Sequence, residues 1–339
     1  MGSSCSTPLI IDESKVGEEK EIPLGEGSFG KTFLKQGTVI KRMKYDYQDN
    51  DFVNEMAFYG WINSLMPDEQ KHFCRLSTYR LYIDSSFVHI PKNLHRFDER
   101  EKQVLGRNDS KWTIDLVLEY KGCPVDLREF ATFSAPDKYK MLVQVLNIVR
   151  IMKKHKVSHE DMDIHNFVYD EKTSVLALID YGVTFFDGQR PADTEACNEM
   201  MVQVTNMMVN VYAAFEAVER ADMADVTRQR FNPDTRFLPF LEKHEEANDM
   251  FDYLKQFSQT NKYPLTITGG EDNAVRIHPT VYGVGDNLLR VSHPSLYLEL
   301  YGLTEPIEPP YFSVEDVKII YDNWNDIDRI IEIFTNKST

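Results

Sequence analysis

Hydrophobic and polar residues alternate along this chain with two different periods, and the change of period divides it. From Ile22 to Tyr120 the dominant period is two. Apolar positions flank a glycine-rich stretch, Ile22-Pro-Leu-Gly-Glu-Gly-Ser-Phe-Gly30, and continue through Lys31-Thr-Phe-Leu-Lys35 and Thr38-Val-Ile-Lys-Arg-Met43, joined at Gln36-Gly37. That pattern predicts strand, turn and strand. Leu76 to Ile90 and Trp112 to Tyr120 predict further strands, separated by a long polar surface loop from Pro91 to Lys111. One helical stripe interrupts them: Phe52, Met56, Tyr59 and Ile62, with Asp49, Asn50 or Asp51 as cap. Gly122-Cys-Pro124 breaks the last strand, and the period then becomes helical. Met141, Leu142, Val145, Leu146, Ile148, Val149 and Met152 predict a buried helix over Pro136 to Lys156. Further helical runs are expected from Thr194 to about Val218, Phe237 to Phe257 and Val314 to Phe334, with a turn at Thr268 to Asn273. The exception is Val157 to Gly182, which reads as a loop, a short strand pair and a second loop.

The chemistry concentrates in that exception, VSHEDMDIHNFVYDEKTSVLALIDYG. It holds His159, Asp161, Asn166 and Asp180, and the β-rich run Ser174 to Ile179 predicts a hairpin that returns Asp180 to the side of the earlier pair. A carboxylate to accept a hydroxyl proton, with an amide and a second carboxylate to hold Mg²⁺, is what γ-phosphoryl transfer needs from a protein. His159-Glu-Asp-Met-Asp-Ile-His-Asn166 resembles the catalytic loop H-R-D-L-x-x-x-N of the protein kinase superfamily, and Asp180-Tyr-Gly182 resembles its D-F-G. Upstream, Gly25-x-Gly27-x-x-Gly30 is similar to the glycine-rich loop, and Val39-Ile-Lys41 to the end of the V-A-I-K strand.

The resemblance implies an α+β, bilobal fold: a leader over 1–21, a β-rich lobe over 22–122 and a mainly helical lobe over 123–339. It implies ATP and Mg²⁺ as cofactors, and it implies roles. Asp161 is the base, and Asn166 and Asp180 hold the metal. Lys41, oriented by Glu55, neutralises the phosphates, which the backbone of Gly25, Gly27, Ser28, Phe29 and Gly30 covers. Val39 touches adenine, Glu119 and Lys121 offer it backbone C=O and N–H, and Leu118 stands where the pocket narrows. His159 is a packing and hydrogen-bonding residue.

Three departures bear on the acceptor. Glu160 stands where the family carries the arginine that pairs with an activation-loop phosphate. Asp163 stands where protein-serine kinases carry a lysine, and its carboxylate adds negative charge where the reaction accumulates it. No A-P-E follows Gly182, and the segment before the next helix is short. Transfer to Ser/Thr hydroxyls of a protein is the expectation. A small-molecule hydroxyl as acceptor, or a catalytically weak ATP-binding scaffold, stands beside it.

Composition narrows the partners. A net charge of -16 over 339 residues disfavours nucleic acid and favours basic peptides. Four scattered cysteines, Cys5, Cys74, Cys123 and Cys197, read as reduced thiols of a cytoplasmic protein, with no zinc spacing among them. No run approaches the roughly 18 apolar residues of a membrane span. Met1-Gly-Ser-Ser-Cys-Ser6 fits the signature for myristoylation of Gly2. One such chain binds membranes marginally and the following segment is acidic, so membrane association through the N-terminus requires acylation of Cys5 as well.

Overall fold

The structure, a computed structural model, describes residues 21–27, 30–44, 50–83, 86–89, 112–125, 127–159, 161–162, 164–186, 193–210, 237–263, 265, 277–303 and 309–339. It is mixed α+β, with an antiparallel sheet and many helices. Packing gathers the chain into two compact units, Met1–Phe130 with Ile164–Phe186, and Ala131–Asp163 with Asp187–Thr339. Among the described residues no helix is long and apolar enough to cross a membrane. The candidate acylation residues Gly2 and Cys5, the loop from 91 to 111 and the turn expected at 268–273 lie outside the described residues.

The first unit is built on six strands: β1 (Ile22–Gly27), β2 (Gly30–Lys35), β3 (Thr38–Lys44), β4 (Leu76–Ile83), β5 (Ser86–His89) and β6 (Trp112–Glu119). They lie in the order β1-β2-β3-β6-β4-β5, antiparallel throughout. The expected Gln36-Gly37 turn joins β2 to β3, both residues having positive φ (50° and 72°) as the tightest hairpin turns require. Helix α1 (Asn50–Ile62) turns Phe58, Tyr59 and Ile62 into the core, each at most 1% exposed. A single turn of helix, α2 (Pro67–Gln70), leads on towards β4. Residues next to each other on β3 serve opposite faces of the sheet. Lys41 meets α1, whereas Arg42 makes a two-pronged contact with Asp115 of β6 at 2.7 and 2.9 Å and covers the Phe33 ring.

The residues after Gly122 do not all leave this unit. β7 (Cys123–Pro124) pairs with β9 (Phe167–Asp170), which pairs in turn with β10 (Val175–Leu178). Gly122 makes that pairing possible. Its φ is +119°, and a Cβ there would stand 2.2 Å from the carbonyl oxygen of Tyr169. Asp170 closes the β9–β10 turn by accepting the Lys172 N–H at 3.0 Å and the Thr173 hydroxyl at 2.8 Å. A further short strand, β11 (Thr184–Phe186), ends the segment.

The second unit contains α4 (Ala135–Lys154), capped by the Ser134 hydroxyl accepting from the Asp137 N–H, and the short strand β8 (Val157–His159). A further short helix, α3 (Leu127–Thr132), precedes it. The expected stripe from Met141 to Met152 is buried on α4. The run expected from Thr194 to about Val218 is α5 (Asp193–Met208), which ends earlier than expected. Asn210 turns left-handed (φ 56°), and the buried Arg290 donates to the carbonyls of Val209 and Asn210 at 2.6 and 2.9 Å. Each of the other two long runs is interrupted. The first contains α6 (Phe237–Leu241) and α7 (Asn248–Asn261), and the last contains α10 (Val314–Asp322) and α11 (Ile327–Lys337), broken where the Asp326 side chain caps the Arg329 N–H. Between them lie α8 (Pro279–Ser292), with Asp286, Asn287 and Arg290 all buried, and α9 (Pro294–Tyr301).

Gly122→Ala forces a β-carbon into the Tyr169 carbonyl at a backbone angle that L residues avoid. We expect it to cost about 2 kcal/mol in urea unfolding. A midpoint equal to that of the parent protein refutes the close approach of β7 to β9.

Candidate active site

Alternation along β3 sends Val39 and Lys41 to the same side of the sheet. Both line a cavity of about 210 Å³ that lies wholly within the first unit. Its apolar walls are Leu24 of β1, Val39, Leu118 of β6, Val168 of β9 and Ile179. Glu119, Lys121 and Gly122 border it along the connection from β6 to β7, and Lys41, Glu55 and Asp180 also line it.

Those last three side chains form one charge cluster. The Lys41 ammonium donates to both Glu55 oxygens at 3.0 and 3.2 Å and to Asp180 Oδ1 at 2.8 Å. One helical turn beyond Glu55, the Tyr59 hydroxyl donates to Glu55 Oε1 at 3.1 Å. The Glu55 side chain is 2% exposed and that of Lys41 12%, while that of Asp180 is 41% exposed. Burial by itself would lower the Lys41 pKa. The carboxylates of Glu55 and Asp180 outweigh it and hold the amine above its ordinary value, so it stays an ammonium. Burial pushes the Glu55 carboxyl up, and Lys41 pulls it back.

At the opposite border burial would raise the Glu119 pKa. The guanidinium of Arg75 at 2.8 Å and the ammonium of Lys121 at 3.1 Å prevail and hold it below the usual carboxylate value. Behind it, burial pushes the Cys74 thiol up to about 12, so the sulfur stays protonated and unreactive.

The expected hairpin exists, and it brings Asp180 back to Asn166. Leu178 lies opposite Phe167 in the β9–β10 register, and the Ile179 N–H donates to the Asn166 carbonyl at 2.8 Å. Asp180 itself is left-handed, with φ +59°. Asp161 belongs to the second unit. Its N–H donates to Nδ1 of the fully buried His159 at 3.2 Å, and the next N–H, of Met162, donates to the Gln203 side chain on α5 at 3.0 Å. Gly25, Gly27 and Gly30 belong to the β1–β2 hairpin, with Gly27 opposite Gly30. Gly30 has φ +152°, and a Cβ on it would stand 2.1 Å from the Arg42 carbonyl oxygen. Ser28, Phe29, Glu160 and Asp163 lie outside the described residues.

Several contributors escaped the sequence reading, the cavity walls Leu24 and Ile179 among them. Val168 supplies a wall of the cavity, and its position two residues past Asn166, on a strand, was the available signal. Tyr181 is fully buried and stacks on Phe58 of α1 with ring centroids 4.3 Å apart. Its burial as the middle residue of Asp-Tyr-Gly has no periodic signature. Searches against protein-family models and against curated proteins return no match to this chain, which leaves the geometry of the site to carry the functional reading.

Lys41→Met strips Glu55 of its cation and leaves the burial, so the folded-state pKa of Glu55, already raised by that burial, rises further above the unfolded value. Such a group stabilises fully below its unfolded pKa and loses that contribution as pH rises through the folded pKa. Relative to the parent protein, the variant should be destabilised by about 3 kcal/mol near pH 8 and recover part of the loss near pH 5. Adding Glu55→Gln should remove the pH dependence. A deficit independent of pH, read by urea unfolding, contradicts the buried pair.

Proposed function

We propose that this chain is an ATP- and Mg²⁺-dependent phosphotransferase with a bilobal, protein-kinase-like fold, acting on Ser/Thr hydroxyls of a protein. The observation that carries the reading is the meeting of Lys41, Glu55 and Asp180, from a strand, a helix and a hairpin exit, in one apolar-walled cavity.

The residues fit such a ligand. The walls Leu24, Val39, Leu118 and Val168 suit a flat aromatic base, and Glu119 and Lys121 border the same space. A triphosphate requires a fixed cation, and Lys41 is a buried ammonium with two carboxylates around it. Among the described residues no group of three or more His, Cys, Asp and Glu is placed to hold a metal by itself. Mg²⁺ in phosphotransferases takes one or two protein oxygens and completes its shell with phosphates and water. Asp180 and Asn166 are oxygen donors of that kind, on segments joined by the Ile179–Asn166 hydrogen bond.

Bound MgATP supplies the phosphoryl group and the metal charge that offsets its oxygens. The protein's part is positioning and electrostatics. Lys41 holds the phosphates, and Glu55 keeps the Lys41 chain from swinging away. Asp180 and Asn166 hold the metal. Asp161 orients the acceptor hydroxyl and receives its proton as the new oxygen–phosphorus bond forms and the bond from the γ-phosphorus to the β-phosphate oxygen breaks, ADP being the leaving group. A second reading, a small-molecule acceptor, is favoured by α5 beginning at Asp193, soon after Gly182, which leaves little chain to dock a peptide.

Asp161→Ala and Asp180→Ala should each lower transfer of ³²P from ATP by about 10²- to 10⁴-fold while circular dichroism stays that of the parent. Incorporation equal to the parent's contradicts the assignment. Peptide libraries and small hydroxyl compounds run side by side decide the acceptor: labelled peptide supports the first reading, and labelled metabolite without labelled peptide the second.

A further inference from the structure

We infer that the hydroxyl of Tyr181 is a positioning device that holds Asp180 in its metal-binding conformation, an inference that rests on the phosphotransferase reading. A ring at this place needs no hydroxyl to fill its pocket. Stacking on Phe58 at 4.3 Å and an edge contact with Tyr59 at 5.2 Å already secure it against α1. The hydroxyl is nevertheless fully engaged. It accepts the Cys74 N–H at 2.8 Å, and it lies 2.5 Å from the Leu178 carbonyl oxygen and 3.1 Å from that of Cys74.

These bonds act on the backbone either side of Asp180. Leu178 is also fastened to the segment that carries Cys74, its N–H donating to His72 O at 2.9 Å and its C=O accepting from the Cys74 N–H at 3.1 Å. Ile179 is fastened to Asn166. The hydroxyl ties Tyr181 back to Leu178 and Cys74, closing a loop of four residues, Leu178 to Tyr181, with Asp180 inside it. Asp180 is left-handed at φ +59°, a conformation disfavoured for a residue with a β-carbon. Such conformations persist when the surroundings over-determine them. With phenylalanine in place of tyrosine the stack survives, but one of the ties on Asp180 is gone, and the carboxylate spends less time aimed at Lys41.

The test separates metal capture from folding. Binding of a fluorescent ATP analogue is measured in EDTA and then with Mg²⁺ titrated in, for the parent and Tyr181→Phe. Affinity in EDTA should match within about twofold, while the Mg²⁺ midpoint rises about tenfold, as expected when only a fraction of molecules is competent. A midpoint equal to the parent's, or the same loss in EDTA as in Mg²⁺, overturns the inference. Native-state hydrogen exchange gives a second readout independent of nucleotide. In the parent the amides of Cys74 and Ile179 should open together, and Ile179 opening about 100-fold more often than Cys74 overturns the tether. A parent that binds no nucleotide in either buffer sinks the phosphotransferase reading instead, and the exchange result still decides the tether.

Discussion

A carboxylate with almost none of its side chain in water must have a cation beside it, and Glu55 has Lys41. The desolvation of either charge alone costs several kcal/mol, and their mutual contact, completed by the Tyr59 hydroxyl and by Asp180 beside Lys41, offsets it. The pair therefore does more than join two side chains. It fixes the distance between β3 and α1, and through the second contact of Lys41 it draws in the exit of the β9–β10 hairpin. The cavity has a charged region because these three elements cannot separate without stranding a buried charge.

The rest of the cavity is framed by close backbone approach. Gly122 lets β7 lie against β9, which brings Val168 under the space that Leu24 and Val39 bound. The border along Glu119 carries its own neutralising cations, Arg75 and Lys121. In a chain of net charge -16 this matters, because the Glu119 carboxylate would otherwise add to the excess of negative charge.

The helical unit solves a different problem. Asn287 donates to Thr205 Oγ1 and to the Tyr321 hydroxyl at 3.0 Å each, joining α8, α5 and α10 through a buried polar network. On α11, Lys337 donates to the buried Asp316 at 2.6 Å, and Asp316 also accepts from the Tyr139 hydroxyl of α4 at 3.1 Å. Buried polar groups of this kind, once partnered, favour one packing of the helices over its alternatives.

Much of the first unit was legible in the sequence because its cues are local. Period-two alternation, the Gln36-Gly37 turn and the glycines of the β1–β2 hairpin each act within a few residues, and strand alternation alone put Val39 and Lys41 on one face. The partnership of Lys41 with Glu55 was legible only through the family resemblance, since 14 residues separate them and neither has a local reason to seek the other. What tertiary structure decided were the contacts that no local pattern encodes. Helix α5 stops just before Val209 and Asn210, whose carbonyls are taken by Arg290, far along the chain. Val168 becomes a wall because β7 pairs beside it. The Tyr181 hydroxyl finds Cys74, more than a hundred residues earlier. Periodicity records which face of an element is buried; which element then meets that face is settled by packing and by the cost of leaving buried polar atoms without partners.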